Sequence, residues 1–320
     1  MMGSDLGAEE LSKAVKEYLE KSDDEIIAFG NKEELSPLFK DTARVTIMAT
    51  DDVIPMEIKP LDFLRRKGSS LYQAINYVKE KKADCIVTAG STGGTIIGAT
   101  FLLRNISGVS RSGICAPFPT YVKGKACVIL DIGANNVNSA EDLYGYAQLG
   151  RLYAKEILHE SNPSIYTLSN GVEEGKGTDE IVNAYQLLKE RNFPGFKGNC
   201  EARNVLDGKH DVIVTSGFTG NVFLKATEGV ASMMNQMIKD AFKKNLLTKI
   251  GYLFARSGFK QIKETMDYRK YGGSILLGIN GVVVKAHGNS NAYAFYNAIK
   301  VAKDMVKADI INKISEEFHA

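Results

Sequence analysis

The residues best placed to do chemistry in this chain lie in a glycine-rich segment at 217–229, GFTGNVFLKATEG. The apolar run at 211–215 precedes it, so the pattern predicts a strand, a tight turn and the start of a helix. Gly217 and Gly220 let the backbone turn sharply, and Asn221 offers an amide at the mouth of the helix. The first N–H groups of a helix lack partners within it and favour negative charge. The segment therefore predicts a site for a small anion.

Six further turns of this kind follow apolar runs elsewhere. They read AGSTGG at 89–94, DIGANN at 131–136, GVEEGKG at 171–177, GNCE at 198–201, YGGSILLG at 271–278 and HGNS at 287–290. A P-loop is excluded at 171–177, because it would need glycine at position 170 and serine or threonine at 177, where the chain has Asn170 and Gly177. The turns also do not fit the fingerprint GxGxxG followed by an acid about 20 residues later, which disfavours a nicotinamide dehydrogenase.

The elements that position these turns are short strands alternating with helices. β-branched or apolar runs lie at 26–29, 45–48, 85–87, 114–118, 126–130, 165–168 and 212–214, with amphipathic patterns such as 71–79 between them. This alternation predicts a largely parallel sheet covered on both faces. Ligands of such sheets collect at the carboxyl ends of the strands, where the glycine turns lie. No linker divides the chain, so residues 1–320 are predicted to form a single α/β catalytic unit.

The composition is that of an ordinary globular protein, with 44% hydrophobic and 24% charged residues, and a net charge of +2 gives no general attraction to nucleic acid. The four cysteines form no C-x-x-C pair and the four histidines are far apart, so we predict reduced buried thiols, no metal and no cofactor. There is no signal-peptide pattern, and no apolar run approaches the ~18 residues that span a bilayer. These features predict a cytoplasmic protein.

In order and spacing, the turns resemble those of the bacterial phosphate acyltransferases of phospholipid synthesis, from about Met2 to about Ile299. Those enzymes make acyl phosphate from acyl-acyl-carrier protein and inorganic phosphate. The resemblance implies the same reaction here and a homodimer. It also implies a three-layer α/β/α sandwich with a long mixed, mostly parallel sheet, similar to the isocitrate/isopropylmalate dehydrogenase-like fold. The product would feed a membrane-bound glycerol-3-phosphate acyltransferase.

Transfer of an acyl group from a thioester to phosphate needs a dianion site, stabilisation of an oxyanion and a good leaving thiolate, but no enzyme nucleophile. Its glycine context and the family motif make Lys176 the best phosphate ligand, with a surface ion pair to Glu173 or Glu174 as the alternative. Asn221 is predicted to donate to the oxyanion, to cap the helix, or both. His287 is predicted to be a general acid toward the thiolate or a donor to phosphate, with a structural role as the alternative.

Further phosphate- or substrate-binding residues are predicted at the strand ends. They are Gly90, Ser91, Thr92, Gly93, Asp131, Asn135, Asn136, Gly220 and Arg65. Asp131 is expected to organise the site, because an acid does not suit direct contact with phosphate. Arg65 matches an arginine of the family and would face phosphate, the acidic carrier protein or solvent. The chain departs from the family at Ser91, usually asparagine, and at Gly94, usually alanine; serine still donates a hydrogen bond.

A basic amphipathic segment at 238–272 is predicted to be a helical insertion. Between 239 and 263 it has seven Lys/Arg and one acid, Asp240, and Gly251 and Gly258 are expected to break its helical pattern into a hairpin. It would pack on the core or a second subunit, or bind reversibly to the anionic inner face of the cell membrane. The predicted membrane contacts are Leu253, Phe254, Phe259, Lys243, Lys244 and Lys249.

The motif MGSDLG at 2–7 matches the turn that follows the first strand of the family, yet only Met1 precedes it. Loss of a buried parallel strand would expose backbone groups and apolar faces of its neighbours. We therefore expect upstream residues that form a short apolar strand ending in an acid.

Two other functions stay open at the level of sequence. A short-chain phosphotransacetylase performs the same chemistry on acyl-coenzyme A. A non-catalytic, membrane-recruited scaffold is compatible with the unusual amino terminus and with Ser91. Phosphate-dependent release of carrier thiol from a long-chain acyl-carrier substrate distinguishes the three.

Overall fold

The computed structural model describes residues 1–319, in which ten strands form two sheets. The strands are β1 Ile26–Gly30, β2 Val45–Ala49, β3 Cys85–Thr88, β4 Gly113–Pro119, β5 Ala126–Leu130, β6 Ile165–Ser169, β7 Phe196–Glu201, β8 Val212–Val214, β9 Ser274–Leu277 and β10 Val282–Lys285. β1 and β2 pair in parallel as a small sheet. The other eight strands form one sheet in the order β3-β10-β9-β4-β5-β8-β6-β7.

Eleven α-helices connect these strands within residues 1–319. They are α1 Gly7–Glu20, α2 Lys32–Leu38, α3 Pro60–Arg65, α4 Ser70–Lys79, α5 Thr92–Leu102, α6 Ala140–Glu156, α7 Asp179–Glu190, α8 Gly217–Lys243, α9 Leu246–Thr265, α10 Ala292–Lys307 and α11 Ile310–His319, with 3₁₀ turns at Ala202–Asn204 and Tyr268–Tyr271. Serines mark several helix starts, because Ser69, Ser91 and Ser139 each accept an N–H of the first turn.

Helices cover both faces of the eight-stranded sheet. On one face α1, α6, α7, α10 and α11 pack against side chains such as Leu130 and Val284. On the other face α3, α4, α5 and α8 pack against the alternate side chains, such as Ile129 and Val283. The predicted three-layer α/β/α sandwich around a long mixed, mostly parallel sheet is confirmed. All four cysteines are free thiols, as predicted, and three of them are buried.

The strands of the large sheet run in two directions. β5 is antiparallel to β4, and β9 is antiparallel to both β4 and β10. As a result β3, β10 and β4 run one way, whereas β9, β5, β8, β6 and β7 run the other way. The carboxyl ends of β3 and β10 therefore lie at one end of the sheet, here the β3–β10 end. Those of β5, β8, β6 and β7 point the opposite way, here the β5–β8 end, although Val284 of β10 and Leu130 of β5 lie in one row of the sheet through Ile275 and Cys115.

A cavity of about 570 Å³ separates β1 from β3, the outermost strand of the large sheet. Within residues 1–319 neither strand has a partner strand on that side, and α1 and α10 close one face of the cavity while α4 closes the other. Met1 lies where both strands end: its amine donates to the carbonyl of Phe29 at 2.9 Å, and the carbonyl of Met2 lies beside Gly90. Burial lowers the pKa of that amine to about 6. The walls of this cavity suit one apolar strand parallel to β1 and β3.

The upstream strand stays a prediction, and the cavity gives it a test. We expect an apolar extension ahead of Met1, of the five residues that β1 has and ending in aspartate, to raise the melting temperature by at least about 5 °C. The extension would pair with two open strand edges and bury its side chains between the helix layers. Thermal denaturation followed by circular dichroism would compare it with an equally long glycine–serine extension. Equal melting temperatures of the two extended chains would contradict this expectation.

α8 and α9 form a helical hairpin that stands away from the sheet. Only Gly217 and Gly220 of α8 are buried, and every residue of α9 is at least partly exposed. The expected break at Gly251 and Gly258 is wrong, because both lie inside continuous α9; the chain turns instead at Asn245, which caps α9. Two glycines cost about 2 kcal/mol of helix propensity, which hairpin packing outweighs. None of the helices within residues 1–319 combines the length and the apolar character needed to cross a bilayer.

The predicted membrane contacts of the hairpin fall into two sets. Phe259 packs inside the hairpin, with its ring centroid 5.0 Å from that of Phe242, and is only partly exposed, so it is less available to a membrane than the other predicted contacts. Leu253 and Phe254 project into solvent, and Phe254 is 85% exposed. With three apolar neighbours they form one exposed face, here the α9 stripe: Leu246, Leu247, Ile250, Leu253 and Phe254. Exposed amines of Lys243, Lys244 and Lys249 flank this stripe.

Candidate active site

The turn after β5 is built around the carboxylate of Asp131, which is completely buried. It accepts backbone N–H groups of Ile114, Gly133, Ala134 and Asn135 at 2.8 to 3.0 Å. Burial raises the pKa of Asp131, and these four donors oppose that shift by favouring the charged form. With its oxygens taken up by backbone donors, the carboxylate organises the turn, as the sequence predicted, and does not face a ligand.

The first turn of α8 packs directly on this Asp131 turn. A Cβ added to Gly220 would lie 1.9 Å from the carbonyl oxygen of Asp131, and one added to Gly217 would lie 2.3 Å from that of Asn135. The backbones therefore touch, and only glycine fits at either position. The predicted strand, turn and helix are present, and these two glycines act through helix packing rather than by opening space for an anion.

Asn221 joins α8 to the same turn. Its side-chain nitrogen donates to the carbonyl of Ile132 at 3.2 Å and lies against Gly133. The N-cap of α8 is Ser216, so the alternative prediction that Asn221 caps the helix is wrong. The amide has two N–H groups and an oxygen, so the bond to Ile132 leaves further hydrogen-bonding capacity at the start of the helix.

The two predicted asparagines of the Asp131 turn differ in their surroundings. Asn135 is engaged inside the protein, because its side-chain amide donates to the carbonyl of Ser112 at 2.7 Å and to the hydroxyl of Tyr146 at 2.8 Å. Asn136, the next residue, is exposed. Asn135 therefore supports the turn, and Asn136 is the one whose side chain a ligand can reach.

Lys176 lies in the loop between β6 and α7. Because β6 pairs in parallel with β8, this loop and the start of α8 share the β5–β8 end of the sheet. The loop is exposed throughout 172–179. Within residues 1–319 Lys176 makes no ion pair, whereas Glu174 pairs with Lys189 at 2.5 Å. The alternative prediction that a glutamate of the loop neutralises Lys176 is therefore wrong for this structure, and its ammonium is available to an anion.

The second group of predicted residues lies at the β3–β10 end of the sheet. Ser91 caps α5: its hydroxyl oxygen accepts the N–H of Gly94 at 3.0 Å and donates to the carbonyl of Met56 at 2.9 Å. Thr92 is exposed, and a Cβ added to Gly93 would meet no atom within 4 Å, so the space in front of the helix start is open. Gly90 packs against Gly3 and Met2.

His287 follows β10 at the same end of the sheet. It is exposed, so it is not a core histidine. The neighbouring carbonyl of Gly288 accepts the N–H of Asp5 at 2.9 Å, which ties this turn to the MGSDLG motif. The turns at 2–7, 89–94 and 287–290 are therefore contiguous.

Lys285, the last residue of β10, is a site candidate that the sequence prediction missed. It pairs with Thr88 and Ser274 and so lies beside the Gly90 turn. Burial lowers the pKa of its amine to about 8, and the charge of Asp5 opposes that shift. The sequence signal for Lys285 was its position: a lysine at the end of an apolar strand, two residues before His287.

Arg65 belongs to neither group. It ends α3, its side chain is 79% exposed, and its partner is Asp62 at 3.7 Å. Arg66 beside it bonds the carbonyl of Val53. The structure thus places Arg65 on an open surface of mixed charge at 55–66 rather than in a turn after a strand.

The predicted site residues thus form two groups, which follow strands that run in opposite directions. Gly90 to Gly93 and His287 are at the β3–β10 end, whereas Asp131, Asn135, Asn136, Lys176, Gly220 and Asn221 are at the β5–β8 end. Within residues 1–319 no hydrogen bond joins the groups. α5 and the first turns of α8, which leave these groups, contribute side chains to the same face of the sheet. No three His, Cys, Asp or Glu residues in 1–319 cluster as metal ligands would.

A model of the family described as fatty acid synthesis protein matches residues 1–313. The chain belongs to this family. A protein of Thermosipho africanus named phosphate acyltransferase is 39% identical to it over 320 aligned positions, which cover 99% of this chain and 96% of that protein. A phosphate acyltransferase of Mesoplasma florum is 35% identical, covering 100% of this chain and 98% of that protein. The resemblance found in the sequence is confirmed.

Solved structures of lower similarity share the fold. A phosphotransacetylase from Streptococcus pyogenes superposes with a TM-score of 0.62 at 19% identity, covering 95% of this chain and 92% of that one. A branched-chain phosphotransacylase from Enterococcus faecalis gives 0.57 at 14% identity, covering 93% and 95%. At these identities the likeness concerns the α/β architecture alone.

Proposed function

We propose that this chain transfers an acyl group from acyl-acyl-carrier protein to inorganic phosphate, giving acyl phosphate and free carrier in phospholipid synthesis. The observation that carries the proposal is the similarity of nearly the whole chain to proteins named phosphate acyltransferase. The exposed ammonium of Lys176, which has no ion pair within residues 1–319 and lies at the same end of the sheet as the start of α8, supports it, because such a place suits a phosphate dianion.

In the proposed reaction a phosphate oxygen attacks the thioester carbon, the C–S bond breaks and the electron pair leaves with sulfur. Lys176 holds the phosphate, and the side-chain amide of Asn221 donates to the oxyanion on the carbonyl. His287 delivers a proton to the departing thiolate or donates a hydrogen bond to phosphate. The open start of α5 at Thr92 and Gly93 receives another polar part of the substrate, and Arg65 meets the acidic carrier protein.

The test uses purified protein with a long-chain acyl-acyl-carrier protein. Free carrier thiol, measured with a thiol reagent, should appear only when phosphate is added, and mass spectrometry should find acyl phosphate. A short-chain acyl-coenzyme A in place of the carrier substrate should react much more slowly. Preference for the coenzyme A substrate would make the chain a phosphotransacetylase, and inactivity with both would favour a non-catalytic scaffold.

We further propose a homodimer formed through α8. Its residues Val222, Val230, Met233 and Met237 are each more than half exposed and, at this spacing, share one side of the helix. An uninterrupted apolar face of this kind suits a second copy of the same helix. Sedimentation velocity of the wild type and of Met233→Glu/Met237→Glu tests this, and monomers are expected only for the variant.

We also propose that the hairpin of α8 and α9 binds reversibly to the anionic inner face of the cell membrane while the rest of the chain stays in the cytoplasm. The α9 stripe and the lysines beside it support this proposal, because apolar and basic groups are exposed together there.

A further inference from the structure

The loop that carries Lys176 has little contact of its own with the protein. Residues 172–179 are exposed, and the ion pair of Glu174 with Lys189 joins two side chains that are each about half exposed. Surface ion pairs of this kind fix a backbone weakly. A phosphate ligand, in contrast, must be held in place, because catalysis depends on the position of the charge.

A buried side chain holds the backbone of this loop in place. Asn199 lies in β7, pairs with Thr167 of β6 and is 7% exposed. Its side-chain nitrogen donates to the carbonyl of Glu173 at 2.7 Å, and the same carbonyl accepts the N–H of Lys176 at 3.1 Å. One carbonyl oxygen therefore connects the sheet, the loop and the backbone of Lys176.

The orientation of the Asn199 amide is itself fixed. The hydroxyl of Thr167, which is completely buried, donates to the amide oxygen of Asn199 at 2.6 Å. Since the oxygen is held there, the nitrogen must point toward the loop. The chain of contacts runs from the core strand through Asn199 to the loop.

We propose that Asn199 is a positioning residue that holds the loop at 171–177 so that Lys176 presents its ammonium to phosphate. The inference rests on the proposed role of Lys176, but the effect of Asn199 on the loop can be measured separately from activity. Asn199 itself does not touch the substrate; it acts through the carbonyl of Glu173.

The experiment compares Asn199→Ala and Asn199→Asp with Ser164→Ala. Asp has the shape of Asn but cannot donate to the Glu173 carbonyl. Ser164 provides the matched control, because it donates to Asp211 just ahead of β6 and β8, at the opposite end of β6 from the loop, and removal of its hydroxyl leaves the loop untouched. Hydrogen exchange of each protein is followed by mass spectrometry over residues 171–177, alongside steady-state kinetics.

Both Asn199 variants should exchange faster in residues 171–177 and raise the KM for phosphate about tenfold, the effect of losing one hydrogen bond of ordinary strength. The KM for the acyl-carrier substrate should stay within about twofold, and Asn199→Ala combined with Lys176→Ala should be no slower than Lys176→Ala alone. Unchanged exchange in the loop would overturn the proposal whatever the activity. Additive losses in the double variant would overturn it too. Suppose that the Asn199 variants exchange faster in the loop while even the wild type forms no acyl phosphate. This outcome would reject the proposed function and support the role of Asn199 in holding the loop.

Discussion

Lys176→Ala should lower the rate of acyl-phosphate formation at least about tenfold while the protein stays folded. The lysine side chain has no ion pair within residues 1–319 and lies in an exposed loop, so its removal breaks no structural contact there. What is lost is a cation at the end of the sheet where α8 begins and where the phosphate dianion is proposed to bind. Initial rates at varied phosphate and thermal unfolding of the same samples measure the two effects.

Lys189→Ala is the matched control for this substitution. Lys189 is a second exposed lysine close to the loop, and it is engaged with Glu174. Its removal takes away an equal charge beside the same loop, so it should change the rate less than about twofold. A wild-type rate for Lys176→Ala, or the same loss for both variants, would remove Lys176 from the mechanism.

Asn221→Ala should reduce the rate by a similar factor, with a separable structural effect. Removal of one oxyanion donor typically costs about 10²–10³ in rate, so at least a tenfold loss is expected. The substitution also removes the bond to Ile132. Asn138→Ala is the control, because that side chain donates to Tyr146 and accepts the N–H of Gly217, the first residue of α8, so its removal takes structural bonds from the same helix start and leaves Asn221 in place. An equal loss of melting temperature and rate in Asn221→Ala and Asn138→Ala would assign Asn221 to packing alone.

His287→Ala should also slow the reaction, by a smaller factor.

Seven of the ten strands within residues 1–319 were predicted, because their apolar runs are short and bounded by glycine turns; β7, β9 and β10 were not, and β7 and β9 include residues predicted as turns. The connections explain the reversal of strand direction, since six residues join β4 to β5 and four join β9 to β10. Parallel neighbours need a crossover of about a dozen residues or more, so both pairs had to be antiparallel. That reversal divides the predicted site residues between strands that run in opposite directions.

Other parts of the site depend on contacts that a sequence does not contain. Asn199 was visible only as a member of a polar turn; its role comes from Glu173, 26 residues earlier, which the pairing of β6 with β7 brings next to it. Asn221 looked like a helix cap because a glycine turn precedes it, yet Ser216 takes that position. Gly217 and Gly220 suggested room for an anion, whereas the structure uses them for helix contact.

Membrane binding by the hairpin should be strong at low salt and weak at high salt. Seven Lys/Arg lie between residues 239 and 263, and each basic group near an anionic surface contributes on the order of 1 kcal/mol, which screening reduces. The α9 stripe adds apolar insertion, since Leu247 and Phe254 are 80% and 85% exposed. A lipid-like acyl phosphate would then be released beside the membrane enzyme that consumes it.

Co-sedimentation with anionic vesicles, at low and high salt, measures this binding for the wild type and for Leu253→Glu/Phe254→Glu. The double variant should lose most of it, because two carboxylates replace the apolar part of the stripe and oppose the surface charge. Met233→Glu/Met237→Glu is the control: it places two carboxylates on α8, away from the stripe, and should alter the number of subunits rather than the contact with lipid. If charge reversal at Lys243, Lys244 and Lys249 changed the subunit count and left vesicle binding intact, the segment would be an oligomer contact. Binding that is absent at low salt, or indifferent to Leu253→Glu/Phe254→Glu, would reject the membrane proposal.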